Sequence, residues 1–179
     1  ICPLHGPVLE ENIDYYISKY LTWSAYLPEN DGIVIAYTSI YGNTKKAVQI
    51  LADKLRAKGC PEVLCMDLSR TDWSEAVATA FRFSKLVLAT TTYNSNIFPA
   101  MKQFIDYLTE RGYKNRTIGF IENGSWAPTA LKLMKSMLEG SKNLTFIETS
   151  CSIRSAMNKE NENQLEEMVN QLCIDYLTH

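Results

Sequence analysis

From Ile33 onward, short apolar runs alternate with segments of helical spacing, and this alternation constrains the fold more than any other feature. Residues 33–37, 62–67, 86–90, 117–121 and 144–147 read as strands. The run 86–90 is continuously apolar, as expected for a strand buried on both faces. Between the strands, Ala47, Val48, Leu51 and Leu55 recur at helical spacing. So do Ala76, Val77, Ala80 and Phe81, and then Met101, Phe104, Ile105 and Leu108. A fourth helix is predicted over 128–138, stopping at Gly140. A last one presents Leu165, Met168, Val169, Leu172 and Tyr176. Asp72-x-x-Glu75 has the form of a capping box. Five strands separated by helices predict an α/β domain with a parallel sheet and right-handed crossovers. In such sheets ligands bind beyond the carboxyl ends of the strands, where the strand order switches. That rule selects the loops after the first, third and fourth strands.

The first of these loops, Thr38-Ser39-Ile40-Tyr41-Gly42-Asn43-Thr44, joins a buried strand to a helix start through hydroxyls and one glycine. Loop amides and the positive end of the helix dipole then converge on one spot, a design for phosphate. The loop has neither the lysine and spacing of a Walker A loop nor G-x-G-x-x-G, so it suits a single phosphate. The simpler reading is an ordinary strand–turn–helix connection with Asn43 or Thr44 as N-cap. The second loop runs from Thr91 through Thr92, Tyr93, Asn94, Ser95, Asn96, Ile97 and Phe98 to Pro99, which suits a first helical turn. The third runs from Glu122 through Asn123, Gly124, Ser125 and Trp126 to Ala127 and Pro128. A phosphate loop with an aromatic in each of two others describes a pocket for a flat ring with a phosphate tail. Tyr93 and Trp126 are the candidates to stack on the ring, or else turn aromatics that merely pack.

Composition excludes several alternatives. A net charge of -2 without a basic stripe leaves no footprint for nucleic acid. No apolar stretch is long enough to cross a bilayer, and no signal-peptide pattern is present, so a cytoplasmic protein is expected. Five scattered cysteines without a C-x-x-C pair read as thiols in a reducing compartment. The N-x-S/T matches at Asn115, Asn123 and Asn143 read as chance. No Ser/His/Asp set occupies plausible loops. His179 is terminal and expected to fray. Cys151, placed after the fifth strand, has no basic partner to activate it. Asp67 and Glu122, at strand ends, read as solvated or capping carboxylates. Ile1 in place of Met suggests a fragment or a processed product. Ile13, Tyr16, Ile17, Tyr20 and Leu21 form an extra helical stripe ahead of a linker at 27–32.

Thr38-x-x-x-Gly42-Asn43-Thr44 after a first strand, together with the other two loops, resembles flavodoxin. The resemblance implies a three-layer flavodoxin-like fold, sheet order 2-1-3-4-5, with FMN at the switch point. The second loop, from Thr92 to Pro99, further resembles that of the flavodiiron proteins, in which a metallo-β-lactamase-like diiron domain precedes a flavodoxin domain. Cys2-Pro3-Leu4-His5-Gly6-Pro7-Val8 is similar to the end of that first domain, where the histidine of the His-Gly pair is an iron ligand. His5 matches it, while the H-x-E-x-D-H run and the later ligands have no counterpart. The resemblance thus implies a domain tail and linker helix over 1–30 and a flavodoxin-like domain over 31–179. It implies FMN-mediated electron transfer to a diiron centre present only in the parent protein, which reduces oxygen or nitric oxide. The implied partners are a rubredoxin-like donor and the diiron domain of a second subunit in a homodimer. In the resemblance FMN is held by Thr38, Ser39, Ile40, Tyr41, Gly42, Asn43 and Thr44. Thr92–Phe98 and Asn123–Trp126 complete the pocket. Ala127, Pro128 and the bulky Tyr41 depart from the pattern. An FMN-dependent NAD(P)H:quinone-type reductase and a non-enzymatic module of this fold remain the competing readings.

Overall fold

The computed structural model describes residues 1–176; His179 lies outside the described residues. Strands β1 (Asn30–Tyr37), β2 (Val63–Asp67), β3 (Phe83–Tyr93) and β5 (Arg116–Asn123) are joined in the order β2-β1-β3-β5, all parallel. Two short strands, β6 (Leu144–Phe146) and β7 (Cys151–Ile153), share the next position. Arg116–Ile118 pair with β6 and Ile121–Asn123 with β7. Counted as one broken strand they complete the order 2-1-3-4-5. The fifth strand is therefore longer than the expected 144–147, and Cys151 opens its second half rather than following it. The polar stretch Glu148-Thr149-Ser150 interrupts the ladder and looks like a strand end in the sequence. A two-residue β4 (Asn96–Ile97) folds back on β3 as a hairpin.

Because side chains alternate across a strand, the sheet divides its apolar residues between two layers. Ile33, Ile35, Val87, Ala89 and Ile121 face α2 (Asn43–Ala57) and α6 (Lys159–Leu172). Val34, Ala36, Leu86, Leu88, Ile118 and Phe120 face α3 (Trp73–Arg82), α4 (Pro99–Glu110) and α5 (Ala130–Leu138). Caps set the helix starts. Asp72 accepts from the amides of Ser74 and Glu75, and Asn158 and Asn161 form a reciprocal box that opens α6. The last helix ends at Leu172, and Tyr176 belongs to a separate 3-10 turn.

Helix α1 (Ile13–Ser24) stands outside this architecture and buries none of its residues. Glu29 accepts from Trp23 Nε1 at 2.8 Å and pairs with Lys19. Arg116 ties the linker to the sheet, donating to the carbonyls of Tyr26 and Phe83, each at 2.7 Å. Tyr16, Ile17, Tyr20, Leu21 and Trp23 are left exposed. No helix among the described residues is long and apolar enough to cross a membrane.

Candidate functional site

The loops after β1, β3, β5 and β7 meet around a cavity of about 140 Å³. Ser39, Ile40, Tyr41, Asn43 and Thr44 form one wall, and Thr91 and Thr92 the floor at the end of β3. Asn123, Gly124 and Ser125 close the third side, and Ser155 the fourth.

The first wall is built by the entry to α2. Gly42 is its N-cap at φ 88, a left-handed conformation that glycine adopts without steric cost. It supplies no side-chain cap. Ser39 Oγ takes that role and accepts from the amides of Gly42 and Lys45 at 3.1 and 3.2 Å. Neither Asn43 nor Thr44 is the cap. Thr44 is 1% exposed, and its hydroxyl finds no partner among the described residues. Thr91 Oγ1 is likewise buried and unpaired. These two buried hydroxyls, one in the first turn of α2 and one at the end of β3, both beside the cavity, are donors waiting for an acceptor, because burial without a partner is costly.

Two other expected threonines do different work. Thr38 lies beneath the cavity, fully buried, its hydroxyl 2.7 Å from that of Thr90 on the adjacent strand. Thr92 Oγ1 accepts from the amides of Thr129 and Ala130 at 3.0 and 3.3 Å, capping α5, whose own N-cap side chain does not. It also explains Gly124, where a Cβ would lie 3.1 Å from both Thr92 Oγ1 and Pro128 Cα. Glu122 is a capping carboxylate, accepting from the Leu131 amide and from Ser152 Oγ, both at 2.8 Å.

The aromatic side is open. Asn94 and Ser95 both have positive φ, 49 and 58, and form the two-residue turn of the β3–β4 hairpin. Asn96 Oδ1 bonds to the next amide in the chain, and Ile97 is buried. Tyr93 packs edge-on against Phe98, with centroids 5.6 Å apart, and is 48% exposed. Trp126 and Tyr41 are 95% and 91% exposed. Neither Tyr93 nor Trp126 reaches the cavity wall; both stand outside it.

Among the described residues, no thiol lines the site. Cys151 is fully buried, and burial pushes its thiol up to about 12. His5 is exposed, and no group of three or more His, Cys, Asp or Glu among the described residues is placed to hold a metal ion. Two lining residues, Thr91 and Ser155, fall outside the expected set. The rule that ligands bind beyond strand ends covers Thr91. Ser155 had no signal, because β7 was not recognised as a strand.

Comparisons with known proteins point the same way. The flavodoxin domain family model matches residues 34–144. Rubredoxin-oxygen oxidoreductase of Megalodesulfovibrio gigas is 24% identical over 78% of this chain and 35% of its own length. Anaerobic nitric oxide reductase flavorubredoxin of Escherichia coli is 24% identical over 78% of this chain and 29% of its own. The chain thus spans about a third of the length of these curated relatives. The solved rubredoxin oxygen:oxidoreductase of Desulfovibrio gigas superposes with a TM-score of 0.83 at 20% identity, covering 90% of this chain and 40% of that one.

Proposed function

Since the chain belongs to the flavodoxin domain family, we propose that it is an FMN-binding electron-transfer domain of flavodiiron type. The observation that carries this reading is the buried, unpartnered Thr44 hydroxyl at the start of α2, beside a polar cavity at the carboxyl end of a parallel sheet. Those donors fit a phosphate monoester. Tyr93 and Trp126 stand exposed beside the cavity rather than in its lining, and the ring is placed against them.

FMN supplies the redox chemistry when bound; the chain's residues hold and orient it. Thr44, Asn43 and the loop amides grip the phosphate, and the α2 dipole favours its charge. Ser39, which already accepts two of the loop amides, keeps the loop in shape. Thr92, by capping α5, ties the second loop to the third and so spaces the two aromatics.

For the longer protein, the proposal is an electron relay to a diiron site that reduces oxygen or nitric oxide. A rubredoxin-like donor would feed it in the cytoplasm. In a homodimer the flavin of one subunit would face the diiron domain of the other. Residues 1–30 are then the domain tail and linker, and His5 an iron ligand only in that context. Incubation with FMN, followed by removal of free ligand, tests the binding step. A yellow protein with quenched flavin fluorescence is expected, and a colourless one refutes the proposal.

A further inference from the structure

We propose that Ser155, in the loop after β7, is a binding residue for the uncharged, hydrogen-bonding part of the ligand: its polyol chain or ring edge. The inference rests on the FMN reading and adds a fourth loop to the three that the topology selects.

Ser155 is held by an unusual grip. Its φ is 66, a conformation that a serine keeps only when its surroundings over-determine it. The surroundings here are a tight turn, closed by the Ala156 amide donating to the Arg154 carbonyl at 2.9 Å, and one buried carboxamide, that of Asn123. Its Nδ2 donates to the Ser155 carbonyl and its Oδ1 accepts from the Ser155 amide, both at 3.1 Å. Asn123 ends β5, in register with Thr91 on one side and Ile153 on the other. The clamp therefore fixes Ser155 to the carboxyl end of an interior strand and brings its hydroxyl to the cavity. There Ser155 Oγ donates to Ser125 Oγ at 3.1 Å.

A hydroxyl offers one donor and two acceptors. Joined by one bond, the Ser125–Ser155 pair still has one donor and spare acceptors for the cavity. Such a neutral pair suits a neutral hydroxyl or carbonyl, whereas the amides and Thr44 on the other wall suit the anion. A clamp that served only to stiffen the β7–α6 connection would need the backbone of Ser155 and not its hydroxyl.

That difference sets the experiment. Affinities for FMN, riboflavin and inorganic phosphate are measured by flavin-fluorescence titration and competition, for the unaltered chain, Ser155→Ala and Ser155→Gly. Both variants keep the backbone groups that Asn123 grips, and the glycine removes the left-handed strain. The expected result is a loss of roughly threefold to tenfold for FMN and riboflavin alike, with phosphate unchanged. Unchanged flavin affinity in both variants, or a loss shared by FMN and phosphate but not riboflavin, overturns the inference while leaving the FMN reading intact. Failure of the unaltered chain to bind either flavin overturns both.

Discussion

The two halves of the candidate site are built in opposite ways. At the β1–α2 entry, Thr44 is 1% exposed and Ser39 Oγ already ties down the turn by accepting from the amides of Gly42 and Lys45. At the aromatic side, Trp126 is 95% exposed and Tyr93 is held only by an edge contact with Phe98. The first half is a charge-recognition device and must be rigid, because amides and dipoles pay off only when aimed beforehand. The second gains by covering apolar surface, which a ligand or a neighbouring domain can supply on arrival. A ligand with one charged end and one flat apolar end matches this asymmetry.

The comparison breaks first at the phosphate end. The Asn43→Ala/Thr44→Ala double variant should weaken FMN by about 10- to 100-fold, since hydrogen bonds to a charged group are the strong ones. Riboflavin binding should hardly move; an equal loss for both ligands in isothermal titration would erase the distinction between the halves. Trp126→Ala should cost less, roughly threefold to tenfold, and equally for FMN and riboflavin. Stronger residual flavin fluorescence in the saturated variant would accompany it. Should Trp126→Ala rival the double variant, the ring end is the dominant anchor and the ordering proposed here is reversed.

Thr92→Val sharpens the comparison by loosening the link between the halves. It removes the acceptor for the first α5 amides, a loss of about 1 kcal/mol, read as a fall of about 2–4 °C in Tm. An unchanged Tm would mean that α5 is capped another way. The smallest effect concerns two buried thiols that do not line the cavity. Burial raises Cys60 to about 11 and Cys151 to about 12 from an ordinary 9.0. The folded state therefore favours their protonated thiols. Stability from this source is full below pH 9 and declines as pH climbs through the range above it. Urea midpoints measured from pH 7 to 10.5 should fall only in the upper part of that range, and less steeply in Cys151→Ala.

Much of the fold was legible because its signals are local. The apolar runs, the helical stripes and the Asp72 cap act within a few residues, and the strand–helix alternation leaves a parallel sheet as the economical solution. The fifth strand was half missed, since Glu148-Thr149-Ser150 reads as an end when it is only a break between β6 and β7. The capping box of Asn158 and Asn161 was missed for a different reason: asparagine in both roles is not the usual pattern. In the site, the sequence alone singled out Ser39, Asn43, Thr44, Thr92, Asn123 and Ser125, all of which line the cavity. It did not separate their roles.

What the amino-acid order determined by itself was most of the elements, the glycine turn into α2 and three of the loops that share one end of the sheet. Those features depend on backbone conformation and on periodicities of two and 3.6 residues, and no distant partner is needed to express them. Which hydroxyl meets the cavity was decided only in three dimensions. Thr38 is taken by Thr90, Thr92 by the start of α5, and Ser155 is delivered by Asn123, from partners 32 to 52 positions away. A hydroxyl can bond to whatever the fold brings within reach, so its task is set by packing and hydrogen-bond competition that no local pattern records.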